Sequence, residues 1–180
     1  MNLKKLVVID MQNDFLTGSL ANWDAERVKR AVQEKINSED WDEIIFTRDT
    51  HDKNYLNTYE GEHLPVEHCL LYTDGWCIDQ DLMTSAYNSN ARLCFFDKVT
   101  FCSKGLIKHL GSSCCDEITF VGVCTGICVI SNVLGAKENI DLLEHNEIFV
   151  DANCCSCVTK ESHDAAILTM KMCQVNIINE

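Results

Sequence analysis

Four kinds of reactive side chain follow short apolar runs in this chain. Asp10 closes KLVVID (5–10), Asp49 and His51 follow EIIFT (43–47), Lys98 follows LCFFD (93–97), and Cys128 comes after DEITFVG (116–122) and a short turn. A thiol, an ammonium and a carboxylate are the parts of a nucleophilic site. The sulfur attacks, and the carboxylate carries the proton away and hands it to a leaving amine. Cys128 opens a helix-like segment behind a turn that contains Gly122 and Gly126. A helix start favours a thiolate, and Lys98 beside it would lower the thiol further. The turn amides would then face the oxyanion of a tetrahedral intermediate. Asp49-x-His51, with His68 further on, has the mixed carboxylate and imidazole character of a single-ion site, and Glu60 or His63 could complete it. Such a set suits zinc first, with iron or manganese as alternatives. Taken singly, each residue also reads as a core thiol, a strand-end cap, a solvent-reaching lysine or a polar loop. The force of the pattern lies in the convergence.

Something must bring these positions to one edge. Asp24 to Asn37 carries apolar Ala25, Val28, Ala31, Val32 and Ile36, one stripe of a helix with charged residues opposite. Further helices are expected at 104–110, at 126–139 (apolar nearly all round) and at 159–172, where Thr159 is a plausible N-cap. Strands are expected at 5–10, 43–47, 93–97, 116–122, 147–151 and 175–178. This alternation predicts an α/β protein of three layers, a six-stranded, mostly parallel sheet between helices. Ligands bind such sheets at the carboxyl ends of strands, where the reactive residues fall. Residues 48–91 lack clear periodicity and are rich in Asp, Asn, His, Tyr and Gly, and read as a long functional loop or lid within one domain spanning 1–180.

Composition narrows the function. A formal net charge of −13, with no basic stripe, excludes a nucleic-acid partner. The apolar run before Asp10 is too short for a signal-peptide core or a membrane span, so a cytoplasmic protein with no membrane partner is expected. Self-association into a homo-oligomer stays open. Twelve cysteines in a chain of this length read as free thiols serving as small hydrophobes. Cys154-Cys155-x-Cys157 has no partner pair at zinc-finger spacing, and Cys124-x-x-x-Cys128 is not the CxxC redox motif. His109, His145 and His163 read as helix-surface or capping residues.

The order of motifs resembles the isochorismatase-like cysteine hydrolases, and within them the nicotinamidase/pyrazinamidase branch. The resemblance rests on VIDMQNDF (8–15), TRDTH (47–51), LPVEHC (64–69), KVTF (98–101), GVCTGICV (122–129), Asp151-Ala152 and ESHDAA (161–166). It implies a triad of Asp10, Lys98 and Cys128, and an acyl-enzyme thioester. It also implies a cis peptide before Cys124 that aims the Cys124 amide, with that of Cys128, at the oxyanion. One divalent metal held by Asp49, His51, His68 and Glu60 would position a substrate ring, and Phe15, Leu64 and Phe101 would line the pocket. The substrate implied is a small amide, nicotinamide first. Gly126 stands where the family often has Asp. Leu64 falls nearest the place of a usual pocket tryptophan, for which Trp76 or Tyr72 could compensate. That substitution keeps another small amide, carbamoyl or ureido substrate in view. A non-catalytic binding protein is the remaining alternative.

Overall fold

The computed structural model describes residues 3–21, 23–112, 115–139 and 147–180. Six strands form one sheet: β1 (Lys4–Ile9), β2 (Glu43–Asp49), β3 (Arg92–Lys98), β4 (Glu117–Val123), β5 (Glu147–Ser156) and β6 (Asn176–Ile178). Their order is β3-β2-β1-β4-β5-β6, and every pairing is parallel. The order reverses direction around β1, so a crevice opens beyond the carboxyl ends of β1, β2 and β4.

The helices are α1 (Asn13–Leu16), α2 (Ala25–Ser38), α3 (Tyr59–His63), α4 (Gln80–Asn88), α5 (Lys104–Gly111), α6 (Ile130–Asn139) and α7 (Lys160–Met172). Successive side chains of β1 part to opposite faces. Leu6 and Val8 pack with Val28, Val32 and Ile36 of α2 and with Leu82 and Ala86 of α4. Val7 and Ile9 pack with Leu106 of α5, Val133 of α6 and Met170 of α7. Both faces are covered, which is why the central strands read as unbroken apolar runs.

Three sequence expectations change. The region 48–91 is not all loop: it holds α3, a 3₁₀ turn at Tyr55–Asn57 and α4. Asp79 caps α4 by accepting from the Asp81 and Leu82 amides, while Leu82 and Ala86, four apart, supply its buried face. The helix expected at 126–139 begins as a π-helical turn, Thr125–Val129, and becomes α6 at Ile130. β5 continues five residues past Asp151, because Ala152, Cys154 and Cys155 bury their small side chains where the sequence looks polar.

Two of the histidines are also more than surface residues. His109 binds Glu43 with Nε2 at 3.0 and 3.1 Å from the two carboxylate oxygens, and half-buried His163 places Nδ1 2.8 Å from the Thr125 hydroxyl. His145 lies outside the described residues. Among the described residues no helix is long and apolar enough to cross a membrane.

Candidate active site

The carboxyl edge of the sheet gathers the predicted residues. Asp10 follows β1 with a left-handed φ of 49°, unusual for a residue with a side chain and found at sites where the surroundings hold it. Its amide donates to Thr47 Oγ1 (3.1 Å), and the Thr47 hydroxyl donates to its Oδ1 (2.6 Å). Lys98 ends β3 with Nζ 2.7 Å from Asp10 Oδ2, 3.3 Å from Asp49 Oδ1 and 3.5 Å from Cys128 Sγ. The Cys128 thiol is near enough to Asp10 for the carboxylate to act on its proton. Asp10 and Lys98 are buried, as is Cys128. Glycine is required at 122, where φ is +116° and a Cβ would run into the Ile9 carbonyl. That close approach of β4 to β1 sets the turn carrying Cys128 against Asp10. The Val123–Cys124 peptide is cis, as the resemblance implied.

The electrostatics correct one expectation. Cys128 is not a lowered thiol. Burial and the Asp10 carboxylate raise it well above the usual range, against the opposing pull of Lys98. Spacing revealed the ammonium but not the depth of burial. Burial also raises Asp10, aided by Asp49 and resisted by Lys98. Burial works against the charge on Lys98, but Asp10, the Cys128 sulfur and Asp49 outweigh it, so Lys98 stays an ammonium. The resting site thus holds a protonated thiol whose proton can pass to one adjacent carboxylate.

Beside the triad, one ligand atom each from Asp49, His51, Glu60 and His68 lies within 4.8 Å of the others. His51 Nε2 is 3.0 Å and His68 Nε2 3.4 Å from Asp49 Oδ2, and both are 4.0 Å from Glu60 Oε1. His68 Nδ1 sits 2.8 Å from the Val66 carbonyl, which fixes the ring and turns Nε2 towards the cluster. Two imidazole nitrogens and two carboxylates on one centre fit a divalent cation. Glu60, not His63, joins them: His63 is exposed and its Nδ1 rests on the Tyr59 carbonyl (2.8 Å).

Of the expected pocket residues, Phe15 lies against His68, with ring centroids 5.7 Å apart. Leu64 and Phe101 are 37% and 47% exposed. Trp76 stacks on the Arg48 guanidinium (4.0 Å) and donates to Thr50 Oγ1, and Tyr72 is largely exposed.

Sequence reasoning missed three buried supports. Gln12 donates to the Asp49 carbonyl (2.9 Å) and accepts from the Asp49 amide (2.7 Å), holding that ligand's backbone like a strand partner. Tyr55 packs its ring on both histidines, with centroids 4.5 and 4.9 Å away. Asn132 donates to the Phe101 (2.9 Å) and Cys128 (2.8 Å) carbonyls and accepts from the Ser103 amide (2.8 Å). Only Gln12 left a signal, a polar residue directly after the buried strand and Asp10. A second group of ligand-type residues, Glu43, Cys94 and His109, meets at the opposite end of the sheet, where Lys5 pairs with Glu43 at 3.0 Å.

A doubly covered parallel sheet with a thiol, an ammonium and a carboxylate at its carboxyl edge defines an α/β protein equipped for nucleophilic chemistry. The chain belongs to the isochorismatase family, whose isochorismatase domain matches residues 4–179. The nicotinamidase of Saccharomyces cerevisiae is 26% identical over 178 residues, covering 76% of this chain and 82% of that protein. The crystal structure of PnC1 from L. infantum in complex with nicotinate superposes with a TM-score of 0.81 at 20% identity, over 98% of this chain and 92% of that one. The pyrazinamidase of Pyrococcus horikoshii in complex with zinc superposes at 0.73 and 22% identity, over 98% and 99%. The chain is similar to these proteins in fold.

Proposed function

We propose that this protein hydrolyses a small amide, nicotinamide first, to the acid and ammonia through a thioester on Cys128. The observation that carries the reading is Lys98 Nζ standing 2.7 Å from Asp10 and 3.5 Å from the Cys128 sulfur, beside a four-residue ligand cluster. Asp10 takes the thiol proton as the sulfur attacks the carbonyl carbon, and Lys98 offsets the negative charge gathered on the pair. The backbone amides of Cys124 and Cys128 receive the oxyanion. Asp10 returns the proton to the departing amine, which leaves as ammonia. It then activates the water that releases the acid.

Asp49, His51, His68 and Glu60 would hold the divalent ion, zinc first. When bound, that ion supplies a Lewis-acidic anchor for a ring nitrogen. Phe15 lies along one wall of the same space. The relatives support the substrate class: they include a nicotinamidase, a pyrazinamidase and a protein crystallised with nicotinate. The protein acts in the cytoplasm on this reading.

A second reading keeps the chemistry and changes the substrate to another small amide, carbamoyl or ureido compound. It is favoured by Leu64, an exposed aliphatic residue where an aromatic wall was expected.

Ammonia release from nicotinamide, measured for the metal-loaded wild type and Cys128→Ala, tests the proposal. Release by the wild type that disappears in the variant supports it. An inactive wild type with a full complement of metal would overturn nicotinamide as substrate, and a panel of carbamoyl and ureido compounds would then be assayed. Undiminished release by Cys128→Ala would overturn the thioester.

A further inference from the structure

β4 and β5 are in parallel register at Gly122 with Cys155 and at Val123 with Ser156. Cys124 and Cys157 are the residues that directly follow this last rung, one on each strand. Neighbouring strands run about 4.8 Å apart, inside the ~4.4–6.8 Å between Cα atoms that a disulfide spans. The two thiols lie close enough to act on each other, each being the largest influence on its neighbour's proton. The Cys157 sulfur accepts from the Gly126 amide at 3.3 Å, and the Val158 amide and Ser162 side chain lie near enough to favour its thiolate.

These donors converge on one sulfur just ahead of Thr159, the N-cap of the 13-residue helix α7. With the neighbouring Cys124 thiol, the largest influence, they hold the Cys157 thiol well below the usual range, although burial works the other way. Cys124 is pushed up by the neighbouring Cys157 and by burial. Cys157 has little exposed surface, but it lines a groove of about 350 Å³ with Gly126, Ile127, Val158 and Ser162. A peroxide, two oxygen atoms long in its smallest form, fits such a space. Gly126 keeps the approach open, since a Cβ there would stand 3.2 Å from the Cys157 sulfur.

We propose that Cys157 and Cys124 form a peroxide-sensitive dithiol beside the candidate nucleophile, Cys157 reacting first and Cys124 resolving it as a reversible disulfide. In the first step the Cys157 sulfur attacks the peroxide. A sulfur–oxygen bond forms, the oxygen–oxygen bond breaks, and the leaving oxygen takes a proton. In the second step the Cys124 sulfur attacks the sulfenic sulfur. The sulfur–sulfur bond forms, the sulfur–oxygen bond breaks, and hydroxide departs as water with the Cys124 proton. Two thiols lose two electrons and two protons, and hydrogen peroxide becomes two waters. A dithiol reductant restores the pair by exchange.

Cys124 begins the turn that carries Cys128, and its carbonyl accepts from the Ile127 and Val129 amides. A covalent tie from Cys124 to β5 therefore moves the turn amides, and turnover falls. This effect on turnover rests on the proposed amidase activity, whereas formation of the disulfide does not.

The test treats the whole protein with one equivalent of hydrogen peroxide, blocks free thiols, and maps linked peptides without reduction. The expected product joins the peptides containing Cys124 and Cys157, and dithiothreitol removes it. Ammonia release is expected to drop about fivefold or more and to recover with dithiothreitol. In Cys157→Ala, checked for folding by its thermal melt and paired with the more conservative Cys157→Ser, basal release persists and the recoverable component of inhibition vanishes. Absence of the Cys124–Cys157 product, or a Cys124–Cys128 product in its place, overturns the proposal. So does recoverable inhibition that survives in both variants. Peptide mapping decides the matter even if no amide is turned over.

Discussion

Both ends of the sheet bury a lysine against a carboxylate, but the partners differ. At the amino end Lys5 faces Glu43 at 3.0 Å, and the same carboxylate accepts from the Cys94 thiol (3.0 Å) and meets His109, with Arg92 3.7 Å away. One anion there is surrounded by donors. At the carboxyl end the proportion is inverted: one ammonium, Lys98, is shared by Asp10 and Asp49, with a thiol and a third carboxylate, Glu60, close by. The first arrangement contributes stability. The second carries an excess of negative charge that a divalent cation would offset, and a thiol with a carboxylate ready to receive its proton. Chemistry is concentrated where buried charges are left in imbalance.

Substitutions should separate the two ends. The largest effect is expected at the carboxyl end: Lys98→Met should lower amide turnover by roughly 10³-fold or more while leaving the thermal midpoint within a few degrees, read by ammonia release and a melting curve. A melt that collapses with activity would erase the contrast. Next, Gln12→Ala should weaken metal retention by about 10–100-fold, measured by metal content after dialysis, because Asp49 loses both of its backbone partners.

At the amino end the effect falls on folding alone. Glu43 is held down at about 2 from its usual 4.5: burial raises it, but bonds from Cys94, His109 and Lys5 prevail. A carboxylate depressed in the folded state stabilises above its unfolded value and loses that contribution as pH falls from 4.5 towards 2. Glu43→Gln should therefore flatten the acid limb of the stability curve and cost about 2–3 kcal/mol at neutral pH, with turnover per folded molecule unchanged. Denaturant titrations at several pH values check this, and a large loss of turnover per folded molecule would show that the two ends are coupled. The smallest effect is expected from Thr47→Val, which removes the 2.6 Å hydroxyl bond to Asp10 and should lower turnover by about tenfold.

The same contrast marks what sequence could tell. The central strands were legible because both faces of the sheet are covered there and their apolar runs are unbroken. The positions of Asp10, Lys98 and Cys128 followed from parallel topology, which sends every strand end to one edge. α4 was hidden because its buried face needs only Leu82 and Ala86, and the outer half of β5 because cysteines fill apolar places in a polar-looking stretch. Spacing shows which groups meet but not how deeply they are buried. The direction of the Cys128 shift and the supporting bonds of Gln12, Tyr55 and Asn132 therefore had to come from the structure.

Asn132 carries a consequence for motion. Its single amide group fastens the segment after Lys98, through Phe101 and Ser103, to the turn ending in Cys128. The amine and the sulfur thus ride on one latch and should open to solvent as a unit, their amides exchanging hydrogen at a common rate. An Asn132→Ala latch would let the two halves breathe separately, and the enzyme would lose its timing before it lost its shape.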